Sequence, residues 1–241
     1  MSLINKKSEI SLGISFSIAE VICTITIASV VKFIAVELSV FMVLFFRYLF
    51  CIPLLLIISI YQRKSKAFYI VSKLTLAIRI LTGLGSFGCL FAALQFIDLS
   101  LMTTLLQTMP IFVTLLAPIV IKEVVGWYRK ITAIVGFIGV LLILKPFSEE
   151  WKNFGIILGV LSPFFGALMT IYVRKLSLTD HPTTTALWYN IFGTIVFLFI
   201  CLFNQTELPK NNSLIMFLVL IGIMSSFQQF FFSLQSKDGA S

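Results

Sequence analysis

Long apolar stretches alternate with short polar joints along the whole of this 241-residue chain. A helix needs roughly 20 mostly apolar residues to cross about 30 Å of hydrocarbon. Stretches of that kind run over about 11–31, 39–60, 76–97, 101–121, 128–145, 155–173, 184–203 and 214–234. The joints hold the charges and turn residues: Gln62 to Lys66, Lys122 and Glu123, Pro146 to Asn153, Arg174 to Pro182, and Asn204 to Asn212. The runs are too long for strands and lack the two-residue alternation of a barrel, so they read as helices. The pattern predicts an all-α polytopic membrane protein with about eight transmembrane helices.

Composition agrees. Apolar residues make up 59% of the chain and charged residues 12%, about half of what a water-facing surface normally requires. Mean hydropathy is +1.06. The placement of charge adds an orientation. Lys6, Lys7, Arg63, Lys64, Lys66, Lys73, Arg79, Lys122, Arg129, Lys130, Arg174, Lys175 and Lys237 share one side if the helices alternate, against Lys32, Lys145, Lys152 and Lys210 on the other. That bias predicts a cytoplasmic N-terminus, as in a bacterial inner (plasma) membrane protein. It also accounts for the net charge of +8 without a basic patch for nucleic acid. Lys6 and Lys7 resemble the start of a secretory signal. The following run contains Glu20 and ends without a small-x-small site, so it reads as the first span.

Several motifs reduce to packing. Cys23, Cys51, Cys89 and Cys201 sit singly in apolar spans, and His181 is the single histidine. Neither pattern builds a metal site or a triad, so no metal or cofactor is expected. Gly83, Gly85 and Gly88 match GxGxxG but lie inside an apolar span, where small residues bring helices close. Trp127, Tyr128, Trp151 and Trp188 near span ends fit interfacial anchors.

The chain also resembles itself. At an offset of about 142, Gly13 meets Gly155, Lys32 meets Arg174, Val40 meets Pro182 and Arg47 meets Tyr189. At about 140, Leu94 and Gln95 meet Leu234 and Gln235, and Asp98 meets Asp238. A unit of five helices has an odd number of spans, so its second copy enters from the opposite side. Such inverted repeats build alternating-access transporters with a substrate site near midplane.

Lys32 with Arg47, Arg79 opening the third span, Pro110 and Glu123 in the fourth, Trp127 and Arg129 after it, and Gly136 to Pro146 in the fifth form a further pattern. By these residues the chain resembles the drug/metabolite transporter superfamily, EamA-type, and within it is most similar to the S-adenosylmethionine uptake carriers. The resemblance implies an inverted five-plus-five helix repeat, with 1–146 as the first EamA repeat and 147–241 as an incomplete second one. Against that pattern the last two helices are expected to be lacking after Ser241. It implies a secondary transporter moving a small polar metabolite, such as S-adenosylmethionine or an amino-acid-like compound. A truncated, nonfunctional remnant of such a carrier stays open, as does a homodimer. A membrane-embedded lipid-modifying enzyme is the weaker alternative, because the 10 carboxylates are scattered. No Gly-x-x-x-x-Gly-Lys-Ser/Thr loop is present for ATP.

Polar groups inside the spans are the candidates for substrate binding or coupling. A charge in the bilayer is costly, so Glu20 in the first span and Arg47 in the second lead. For Glu20 the alternatives are a cation or proton site and a structural pairing with Arg47. For Arg47 they are an anion site and an architectural role. Gln95, Gln107, Trp188, Tyr189, Asn190 and Gln228 follow, beside Thr104, Thr108 and Gln229. Hydrogen bonding between helices is the plainer account of most of these. Arg79 and Glu123 read as a structural ion pair at the inner end. Pro110 and Pro163 mark spans that bend or break.

Overall fold

The computed structural model describes residues 2–34, 37–122, 126–144, 154–206, 208–209 and 211–238. Those residues form helices α1 (Ser2–Ile34), α2 (Val40–Arg63), α3 (Lys73–Phe96), α4 (Leu99–Leu106), α5 (Met109–Val120), α6 (Trp127–Leu144), α7 (Phe154–Ser177), α8 (Pro182–Phe203) and α9 (Asn212–Asp238). A 3₁₀ turn, Lys64–Lys66, follows α2. With α4 and α5 counted as one interrupted span, the all-helical reading holds element by element. Six spans among the described residues are long and apolar enough to cross a membrane: α2, α3, α4 with α5, α7, α8 and the stretch Asn212–Gln229 of α9.

Their outward surfaces show which solvent they suit. Leu81 is 69% exposed, Ile119 76% and Phe199 66%. Large apolar side chains left uncovered along helices of this length need hydrocarbon around them, and the chain is a multi-pass membrane protein.

Two boundaries differ from the sequence pattern for physical reasons. α1 begins at Ser2, well before its apolar stretch, because adding residues to an existing helix needs only backbone bonding. The fourth span breaks between Leu106 and Met109. Pro110 has no N–H and would strike the carbonyl four residues earlier. The chain therefore tightens: the Thr108 N–H turns to the Leu105 carbonyl (3.0 Å) and the Ile111 N–H to the Thr108 carbonyl (3.0 Å). Pro163, by contrast, lies inside an uninterrupted α7.

The chain divides into two compact units, one from residues 1–76 and 176–241 and the other from 77–175. In the first, α2 lies antiparallel to α8, with Tyr48 meeting Tyr189 and Arg63 meeting Thr184. α9 packs on both α1 and α2: Phe33 meets Phe217 edge to face, and the Cys51 thiol points to the Gly222 carbonyl at 3.5 Å. In the second unit α3 packs on α7. There the Ser86 hydroxyl donates to the Ser162 carbonyl (3.0 Å), and Phe96 meets Phe154.

The glycines of the apparent GxGxxG do not all serve close packing. A Cβ on Gly85 would touch the Phe165 ring at an ordinary 3.4 Å, and one on Gly88 would meet nothing within 4 Å. The tight approaches lie elsewhere. Gly193 brings α8 onto the Tyr48 ring, where a Cβ would stand 2.7 Å from Cδ1, and Gly222 brings α9 onto Phe50.

A buried polar seam among α1, α2, α8 and α9

Apolar residues dominate the interior of the first unit, so its polar groups stand out. Tyr48 and Asn190 are each the ninth residue of their helices, α2 and α8. At 1.5 Å per residue that places them about 12 Å from the helix starts, well inside a core about 30 Å thick. The Tyr48 and Tyr189 hydroxyls hydrogen-bond to each other at 2.8 Å, with rings edge to face at 5.4 Å. Phe197 stacks on the other side of Tyr48, its centroid 5.6 Å away.

One residue further along α8, Asn190 joins α9. Its Nδ2 donates to Gln229 Oε1 (2.6 Å), and Gln229 Nε2 donates back to Asn190 Oδ1 (3.2 Å). The same Nδ2 also donates to the Ala186 carbonyl at 2.7 Å. This reciprocal pair is the buried form that an amide needs in a medium without water. Gln228 continues the seam to α1: its Nε2 donates to Thr24 Oγ1 (2.8 Å), and that hydroxyl donates to the Glu20 carbonyl (2.8 Å). Glu20 itself is half-buried, one turn before Thr24.

Two groups of the seam have capacity to spare. Gln228 Oε1 and Ser225 Oγ are buried and take part in no hydrogen bond among the described residues. Both lie on α9, three residues apart, and so on one face of the helix. Arg47 is completely buried, with its guanidinium carbon 5.0 Å from the centre of the Tyr48 ring. That position suits a cation–π contact, and it is not the outward reach of a side chain seeking the interface.

The structure thus assembles Tyr189, Asn190 and Gln228 into one seam with Arg47 and Glu20 on its flanks. Trp188 is oriented elsewhere. Its Nε1 donates to the Phe68 carbonyl (3.0 Å) and its ring lies against Phe68 and Phe192, which ties the joint after α2 to α8. Gln95 near the end of α3 and Gln107 at the α4–α5 break belong to the second unit, and both are exposed. Arg79 is buried in α3 of that unit, whereas Glu123, its expected partner, lies outside the described residues, as do Trp151 and the 146/147 repeat boundary. Tyr48 and Thr24 are members of the seam that the sequence pattern did not single out. One signal for Tyr48 was its spacing of 141 residues from Tyr189, nearly the repeat offset.

The seam offers neutral donors and acceptors and aromatic faces, with the Glu20 carboxyl and the Arg47 guanidinium on its flanks. Such a set has the chemistry to hold a small polar molecule. Comparison with known proteins places it in context. The chain is 30% identical to a riboflavin transporter of Vibrio cholerae over 52% of its own length and 41% of that protein's. It is 26% identical to an S-adenosylmethionine uptake transporter of Rickettsia conorii, over 83% of this chain and 67% of that one. It spans about half the length of several curated relatives it matches. One crystal structure shares the fold with a TM-score of 0.73, covering 96% of this chain and 80% of its own at 11% identity. The family model of the EamA-like transporters matches residues 11–145 and 153–241, nearly the whole chain, and the chain belongs to that family.

Proposed function

We propose that the protein carries a small polar metabolite across a bacterial inner membrane by alternating access, with the α1–α2–α8–α9 seam on the route. The observation that carries the reading is the pair of unsatisfied polar atoms, Gln228 Oε1 and Ser225 Oγ, within a seam where the side chains of Asn190, Gln229 and Thr24 are hydrogen-bonded. Buried polar atoms normally have partners, and a site for a polar ligand is one reason for an exception.

An inverted repeat supports the alternating-access part. Under an offset of about 142, α1 corresponds to α7 and α3 to α9, so the α1–α9 pair of one unit maps onto the α7–α3 pair of the other. The correspondence reaches single residues. Thr24 and Gln228 are hydrogen-bonded in the first unit. Their counterparts are Gly166 and Ser86, where a Cβ on Gly166 would stand 3.1 Å from Ser86 Oγ. The two matches of the family model, to 11–145 and 153–241, fall on either side of the expected boundary.

The relatives bear on substrate class. S-adenosylmethionine and riboflavin each join a fused nitrogen heterocycle to a hydroxylated five-carbon unit, a ribose ring in the first and a ribityl chain in the second. Amides and hydroxyls on Tyr48, Asn190, Gln228 and Gln229 suit such edges, and the Tyr48, Tyr189 and Phe197 rings suit such faces. The test is counterflow into proteoliposomes with radiolabelled S-adenosylmethionine and riboflavin in parallel. One of them is expected to accumulate saturably, and Gln228→Leu is expected to reduce that rate by about tenfold or more, the worth of one to two buried hydrogen bonds. If neither compound exceeds empty liposomes, the proposed substrate class is wrong.

A further inference from the structure

At one end of the first unit, the C-terminus of α2 and the joint before α8 form a half-open cavity of about 350 Å³. It is lined by Arg63, Lys66, Tyr69, Val71, Thr179 and Asp180. The walls are fixed by a small latch. Asp180 Oδ1 accepts from the Val71 N–H (2.6 Å), and Oδ2 accepts from the Ser72 N–H (3.1 Å) and the Thr179 hydroxyl (2.8 Å). Ser72 Oγ and Thr179 Oγ1 add a bond of 3.0 Å. The carboxylate is therefore engaged with the joint itself, and three donors offset its charge.

The two cations of the cavity are differently placed. Arg63 makes one long bond, Nη1 to Thr184 Oγ1 at 3.5 Å, and neither it nor Lys66 forms an ion pair among the described residues. Lys66 is exposed and stands on the turn that Lys64 opens with a positive φ of 49°. A guanidinium and an ammonium facing one cavity suit a phosphate, which accepts bidentate and point-charge donors together.

Depth identifies the form in which that phosphate arrives. The α2 span ends at Arg63, and α8 begins at Pro182. Around this end Tyr61 is 87% exposed and Tyr69 63%, with Phe68 held beside Trp188. Such aromatic groups mark the headgroup level of a bilayer. A basic cavity at that level, of a size suited to a small polar group, faces phosphates carried by lipids.

We propose that the Arg63–Lys66 cavity seats the phosphate of an anionic phospholipid. This inference stands apart from the transport reading, since it uses none of the seam residues. The test is native mass spectrometry of the intact protein titrated with phosphatidylglycerol, phosphatidylcholine or glycerol phosphate. Phosphatidylglycerol is expected to bind in preference to phosphatidylcholine. Lys66→Gln, at an exposed position that leaves the fold intact, should weaken it about fivefold, and Arg63→Gln with Lys66→Gln by more than about tenfold. Lys175→Gln, an exposed cation at the end of α7 and not part of the cavity, should leave it unchanged. Equal binding of the two lipids, or undiminished phosphatidylglycerol binding in Lys66→Gln, would overturn the proposal. Glycerol phosphate binding as tightly as the lipid, with the same dependence on Lys66, would assign the cavity to free phosphate esters and overturn the lipid assignment.

Discussion

Replacing Asn190 with leucine is expected to destabilise the protein by about 1–2 kcal/mol, and replacing Gln229 with methionine by a similar amount. Each change leaves the other amide buried with its partner gone, because the two side chains bond reciprocally at 2.6 and 3.2 Å. The double variant is the informative one. Removing both polar groups while keeping their volume should return stability to near the wild-type value, since the cost lies in the orphaned partner. Transport should not return. If the seam binds the metabolite, the double variant stays at least about tenfold impaired even though it folds well. Thermal unfolding in detergent and proteoliposome uptake, measured on all four members of the cycle, separate these outcomes. Recovery of both properties would reduce the pair to a packing device.

Alanine at Gly193 or Gly222 should be nearly as damaging for a different reason. At Gly193 the new methyl meets the Tyr48 ring at 2.7–2.9 Å, and at Gly222 it meets Phe50, so α8 or α9 must move off α2. Overpacking of this kind costs about 1–3 kcal/mol, and Gly222, which faces the Cβ rather than a movable ring edge, should lie at the upper end. Gly88→Ala is the matched control. Nothing stands within 4 Å of its Cβ, so the substitution should be neutral or slightly stabilising through better helix propensity. A thermal shift with Gly88→Ala as large as with Gly222→Ala would contradict the packing described for α2 and α9.

The contrast among these glycines shows where sequence reading works and where it stops. Apolar length sufficed to place the helices, because hydrocarbon thickness fixes how many residues a span needs, and six of the eight expected spans meet that length and apolarity among the described residues. Pro110 marked a break for a covalent reason, whereas Pro163 did not break α7, because its freed carbonyl and missing N–H are tolerated within that packed helix. Small residues in a span signal close approach in general, but rotation about the helix axis decides which ones touch a neighbour. Gly88 and Gly222 look alike along the chain, and only the second meets a side chain. The same limit applies to the seam. Polarity in an apolar run marked Tyr189, Asn190 and Gln228, but not that Tyr48 and Thr24 would be their partners from helices 141 and 204 residues away. Trp188 shares a helix turn with Tyr189, yet its indole is drawn to the Phe68 carbonyl, a contact that no local pattern announces.

The most direct test of the seam as a route is access to Ser225 from either face of the membrane. Its hydroxyl is buried in α9, three residues before Gln228 and on the same face of the helix as that residue with its unsatisfied oxygen. The experiment places Ser225→Cys in a protein whose own Cys23, Cys51, Cys89 and Cys201 have been replaced. A membrane-impermeant thiol reagent is then applied to right-side-out and to inside-out vesicles. Alternating access predicts labelling of position 225 in both preparations, because the seam opens to each side in turn. Labelling in neither, or from one face alone, would contradict a transport route through these helices.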